Sequence, residues 1–156
     1  VSVTAMIMLI AAAAFYLNFV LGLMGVPQAL ANFASQLGTS PLVMLAVLTV
    51  FYLILGCFLD ALAMIIGTIP IVFPLITALG IDPVWFGIYL VVMAELALIT
   101  PPVGMNLYVV QGIRKEGLIT DVIVGTLPFL VMMMLLVVLL VVWPDLALWL
   151  PRVSFG

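Results

Sequence analysis

The sequence has no histidine, one cysteine and only three lysines and arginines in 156 residues. Without histidine there is no imidazole general base and no His-assisted nucleophile, and Cys57 alone can form neither a thiolate zinc cage nor a disulfide. Three basic residues against six acidic ones leave no surface able to neutralise a phosphate backbone, which excludes a nucleic-acid role. Charged residues make up 6% of the chain, against about 25% in soluble domains. What fills the chain instead is apolar: 69% of residues are hydrophobic and the mean hydropathy is +1.58. This is the composition of a membrane protein. The apolar sequence begins at Val1 without a charged stretch or small-residue cleavage site, so no signal peptide is read and the chain is expected to be a piece of something longer. Since a crossing takes roughly 20 apolar residues, its length allows at most about six.

The first run, 3–25, is interrupted by Thr4 and Asn18 and ends at Gly25 and the Val26–Pro27 step, which predicts one transmembrane helix. Residues 27–38 are milder and too short to span; Pro27 and Gly38 bracket a short amphipathic helix expected at the membrane interface. From Pro41 an apolar run reaches Phe58, Asp60 interrupts it, and a second run with Gly67, Pro70 and Pro74 continues to Leu79. Two helical legs therefore meet near Gly56–Ala61, either as two thin crossings or as a re-entrant hairpin whose tip carries irregular backbone. Gly80-Ile81-Asp82-Pro83 is a turn. The run over 83–113 contains Glu95 and is cut by Thr100-Pro101-Pro102-Val103-Gly104; two prolines without N–H groups predict a helix broken near mid-membrane. After Arg114-Lys115-Glu116-Gly117 comes a last span, about 118–142, and a tail in which Trp143 and Trp149 are expected as interfacial anchors. If the Arg114-Lys115 pair is cytoplasmic, the C-terminus is extracytoplasmic.

Two places carry chemistry. Asp60, at the meeting of the legs, has a plain reading as the N-cap of the helix beginning near Ala61. In the functional reading, the same cap fixes the tip so that the carbonyls of Gly56, Cys57 and Leu59 face a cation. The break frees carbonyls and N–H groups: the carbonyls suit a hard cation such as sodium, and the positive end of the half-helix starting near Pro102, with Met105 and Asn106, suits an anion. Its plain reading is a proline kink repaired by Thr100, neighbouring helices and water. Glu95 is read either as a proton or cation carboxylate or as a neutral side chain hydrogen-bonded in a wet cavity. Pro70 and Pro74 are read as shaping one face of the second leg, Cys57 as packing, and Met132–Met134 as packing or lipid contact.

The succession GCFLDALAMIIGTIPIVFP, ALGIDPVWFGI, LITPPVGMNLYV, TLPFL and WPDLALWLP resembles the C-terminal half of the large membrane subunit of tripartite ATP-independent periplasmic (TRAP) transporters, along essentially the whole chain. The resemblance implies an all-α polytopic fold with a re-entrant helical hairpin and a broken transmembrane helix, of the elevator type found in the ion transporter superfamily. It implies a sodium-coupled secondary transporter for organic acids such as C4-dicarboxylates or sialic acid. The expected partners are the N-terminal half of the same subunit, a small membrane subunit, separate or fused, a periplasmic substrate-binding protein, and the lipid of a bacterial inner membrane. No cofactor is implied beyond sodium as coupling ion.

Carried onto this sequence, residues 1–26 would be a scaffold helix, 27–40 an arm, 41–79 the second hairpin, 80–113 the broken helix, and 114–156 a scaffold helix with the tail. Gly56, Cys57, Asp60, Thr100, Pro101, Pro102, Gly104, Met105 and Asn106 would form the sodium and substrate site, with sodium at Gly56, Thr100 and Gly104. The chain departs from the family pattern at Ala97-Leu98, where a glycine is common, and at Glu95, where an uncharged residue is usual. The alternatives are a non-transporting assembly subunit and an intramembrane enzyme; lacking histidine, the latter would have only Asp60 and Glu95 for acid–base work.

Overall fold

The computed structural model describes residues 2–36, 40–102, 104–114 and 116–155. Among them the fold is entirely helical: α1 (Ser2–Leu23), α2 (Val26–Gln36), α3 (Pro41–Gly56), α4 (Ala61–Ala78), α5 (Pro83–Ile99), α6 (Met105–Arg114), α7 (Ile119–Val142) and α8 (Asp145–Phe155). The segments Thr4–Leu23, Ala61–Ala78 and Ile119–Val142 are long and apolar enough to cross a membrane, while α3 and α5 are apolar but shorter. The predicted stop at Gly38 lies outside the described residues, as do Val103 of the break and Lys115 of the charge pair that oriented the chain.

Helix ends follow local chemistry. Gly25 adopts φ 69°, a conformation open to glycine at no steric cost, and turns the chain from α1 into α2. Ser40 caps α3, whose first residue is Pro41, a position whose N–H would have no partner within the helix. Beyond α4, the Gly80 and Ile81 amides donate to Thr77 and Ile76 carbonyls in a Schellman closure, with Gly80 at φ 72°. Asp82 then caps α5 through Val84 and Trp85 N–H groups, with Pro83 at its first turn.

The centre of the fold is α5, which buries Trp85, Phe86, Tyr89, Leu90, Met93, Ala94, Leu96 and Ala97. It packs on α3, α4, α6, α7 and α8. The legs α3 and α4 touch each other sparingly and each lies more fully on α5, so they form a hairpin splayed over a third helix rather than a tight pair. Polar groups join these elements inside the apolar core. Thr49 and Tyr89 hydroxyls are 2.8 Å apart, Tyr52 and Thr68 hydroxyls 3.0 Å, and Trp85 Nε1 donates to the Leu140 carbonyl at 3.0 Å. Helix α7 thus shares the core of α3 and α5. The expected tail is helical too: Ala147 and Leu148 of α8 enter that core, Trp143 and Trp149 remain exposed, and Asp145 pairs with Arg152.

Helices α1 and α2 form a second layer, both packed on α4. The outward faces are as apolar as the core: Phe15, Phe58, Phe129 and Met132 are all exposed. Such a surface is stable only against lipid or other protein.

Candidate functional site

The meeting point of the legs spans four residues. The Cys57 N–H donates to the Ile54 carbonyl, Phe58 and Leu59 N–H groups donate to that of Leu55, and the Cys57 thiol donates to Leu53. These bonds satisfy the Leu53, Ile54 and Leu55 carbonyls near the end of α3 within the chain. Asp60 accepts from the Ala63 N–H at 3.0 Å, so it is an N-cap, worth about 1 kcal/mol. Asp60 also borders a cavity of about 190 Å³ between α1 and α4, with Met6, Ile7, Ile10, Leu62 and Ile66. Asp60 therefore lies on the α1 side of the tip, and among the described residues no hydrogen bond links it to the break.

Gly56 does reach the broken helix. A Cβ built on it would fall 2.0 Å from Ala97 Cβ and 3.1 Å from Ala97 Cα, so the end of α3 lies against the backbone of α5 one turn before the break. Only a glycine allows that approach.

At the break, each carbonyl that loses its helical partner finds a different fate. The Thr100 hydroxyl donates to Leu96 at 2.7 Å and the Thr100 N–H to Ala97 at 3.2 Å. The Leu98 carbonyl has Pro102 four residues on and receives no amide from it. Instead it points at Gly104: a Cβ there would stand 2.7 Å from Leu98 O and 2.9 Å from Thr100 O. Gly104 N–H closes on Thr100 O at 3.0 Å, and Leu107 N–H on Gly104 O at 2.9 Å, where α6 begins. The Pro101–Pro102 peptide is cis. Met105 and Asn106, in the first turn of α6, are exposed, while Leu107 is buried and seats the helix.

The structure thus sets Gly56 against Ala97 of α5, one turn before the break, and Gly104 against the Leu98 and Thr100 carbonyls within the break; Pro101 and Pro102 open the helix there, Met105 and Asn106 start α6 after it, and Cys57 and Asp60 lie at the tip between α3 and α4. Sequence reading missed the Leu98 carbonyl, although Pro102 four positions later marks it. It also missed Thr49, Tyr52, Thr68 and Tyr89, polar residues interrupting apolar runs. Among the described residues no three Cys, Asp or Glu side chains gather, so a cation at the break would have to rely on backbone and hydroxyl oxygens. Glu95 is exposed, on the side of α5 away from the core, with no ion pair among the described residues.

Comparison with known proteins decides the family. The family model described as "Tripartite ATP-independent periplasmic transporter, DctM component" matches residues 1–146. The chain belongs to the DctM family. It is 35% identical to the C4-dicarboxylate TRAP transporter large permease protein DctM of Vibrio cholerae, over 98% of this chain and 34% of that protein. The corresponding protein of Rhodobacter capsulatus is 37% identical, over 97% of this chain and 34% of its own length. The sialic acid TRAP transporter large permease protein SiaM of Vibrio cholerae is 35% identical, over 83% of this chain and 30% of its own. The chain spans about a third of the length of the curated relatives it matches. DctM proteins are transporter components, not enzymes, and the apolar helices of this one make it a multi-pass membrane protein.

Proposed function

We propose that this DctM-family chain is the C-terminal part of the large permease of a sodium-coupled transporter that imports organic acids across a bacterial inner membrane. The observation that carries the reading is the family match through nearly the whole chain, joined to a close approach of Gly56 to Ala97 of α5, one turn before the opened backbone of Thr100 and Gly104. In this reading sodium is held at Gly56, Thr100 and Gly104 mainly by backbone oxygens, with the Thr100 hydroxyl and the Leu98 carbonyl as further ligands. The N–H groups at the start of α6, around Met105 and Asn106, meet the substrate carboxylate, where the helix dipole favours an anion. Cys57 and Asp60 hold the shape of the hairpin tip, and Pro101 and Pro102 keep the helix open.

The relatives named for C4-dicarboxylates and sialic acid support a carboxylate substrate. The partners would be the rest of the large subunit, the small membrane subunit and a periplasmic binding protein, with the C-terminus on the periplasmic side. Helices α3 to α6 would move as an elevator body against a scaffold that includes α1, with α2 as the connecting arm. Because α7 shares a core with α5, we assign it to the moving body.

The test is sodium-dependent uptake of labelled organic acids by liposomes holding the complete permease with its binding protein. Thr100→Ala, which removes a hydroxyl without adding bulk, should cut uptake at least tenfold while assembly stays normal. Unchanged uptake and sodium dependence in this variant would demote the break to a kink.

A further inference from the structure

Asn18 lies within the apolar length of α1, and its Nδ2 donates to the Ile66 carbonyl of α4 at 3.0 Å. Pro70 stands four residues beyond Ile66, where the helix would otherwise supply an amide to that carbonyl. Two features that are each costly in a membrane helix, an amide side chain and an orphaned carbonyl, therefore answer one another. The orientation of the amide follows from the partner, since only an NH2 can face a carbonyl. The Asn18 Oδ1 is buried and accepts no hydrogen bond among the described residues. Nearby, the contact between the two helices opens into the 190 Å³ cavity bordered by Met6, Ile7 and Ile10 on one side and Asp60, Leu62 and Ile66 on the other. Close packing would fix the two helices along their length. Here α1 packs on α4 beside the gap, and among the described residues the Asn18 bond adds a directional contact that packing of apolar faces lacks.

We propose that Asn18 is a positioning residue of the transport cycle: its bond to the carbonyl freed by Pro70 holds α1 and α4 in the register of this structure, and it must open each time α4 moves past α1. This rests on the proposed function, which places α1 in the scaffold and α4 in the moving hairpin. A hydrophobe cannot donate to that carbonyl, and an ionised carboxylate would be repelled by it.

The experiment uses the complete permease with Cys57 kept, carrying Ile10→Cys and Leu62→Cys, two residues that line the cavity from α1 and from α4, with each single-cysteine variant as the control. Disulfide yield reports the α1–α4 register, and uptake in liposomes with the binding protein reports the cycle. Asn18→Leu should lower the yield at least threefold with assembly intact. Pro70→Ala, which returns an amide to Ile66, should lower it similarly, and the combined variant should show no further loss because both changes remove one bond. Oxidation should abolish uptake by the parent and reduction should restore it. An unchanged yield in Asn18→Leu, losses that multiply in the combined variant, or full uptake by the oxidised protein would each overturn the proposal; the last would leave Asn18 a static tie. A reduced parent that takes up no carboxylate at all would overturn the transport reading, and the cycle with it, while yields that still depend on Asn18 would distinguish that failure from a failure of the bond.

Discussion

Gly56 and Gly104 are glycines for different reasons. At Gly56 the obstacle is a neighbouring helix, at Gly104 the chain's own carbonyls six and four residues back. The first obstacle can be removed by substitution and the second cannot. Gly56→Ala should push α3 off α5, costing about 1–3 kcal/mol as overpacking does, and should lower both the melting temperature of the complex and its uptake. Ala97→Gly in the same chain exchanges the methyl across the contact and should recover most of the loss, less the roughly 1 kcal/mol that glycine costs within a helix. If the double variant is no better than Gly56→Ala alone, the contact with Ala97 is not what requires glycine. For Gly104 no partner change helps, because the opposing atoms are backbone oxygens of Leu98 and Thr100.

Among elements, the body formed by α3, α4, α5 and α7 is held by hydroxyl and indole bonds as well as by packing. In a bilayer, apolar contact alone does little to favour one helix pairing over exposure to lipid, so directional bonds and close fit set the arrangement. Thr49 and Tyr89 pair across α3 and α5, and Tyr52 and Thr68 across α3 and α4. A cycle of Thr49→Val and Tyr89→Phe should give a coupling of about 0.6 kcal/mol, the average for interhelical hydrogen bonds in membrane proteins, read from unfolding of the purified complex. Zero coupling would mean that the hydroxyls are satisfied separately. Each has an alternative acceptor in the Leu45 carbonyl, at 2.8 Å from Thr49 and 3.4 Å from Tyr89, which argues for a coupling at or below that average.

At the scale of the molecule, the sides of this chain that face outward are not equivalent. On α5 the exposed positions Gly87, Val91 and Glu95 follow one another at four-residue spacing and so share one stripe. An acidic side chain facing lipid at mid-bilayer would cost about 2.5–3.5 kcal/mol. That stripe is therefore expected to face protein or water in the complete permease, whereas the exposed Phe129 and Met132 of α7 carry no such charge. Spin labels on Val91→Cys and Met132→Cys should show low oxygen accessibility at the first and high accessibility at the second. High accessibility at both would put Glu95 in lipid and contradict the expectation.

Most of the element boundaries were legible because proline, glycine and capping carboxylates act locally. Asp60, Asp82, Pro41 and Pro83 stand where the helices start, and the two prolines after Thr100 end α5 where hydropathy alone would run on. The motif that carries the family resemblance was legible for the same reason, since its residues are close in sequence. What the sequence could not determine is which helix each polar side chain meets. Asp60 caps its helix as read but lies on the α1 side of the tip, and Asn18, which seemed only an interruption, bonds the carbonyl that Pro70 releases. The legs of the hairpin lie on α5 more than on each other, and α7 joins them through Trp85. In a helix that is apolar on all sides, no stripe marks the buried face, because lipid and core ask for the same residues. Local backbone chemistry therefore set the elements, and the pairing of faces was decided only in three dimensions, by close approach at glycine and by hydrogen bonds between helices.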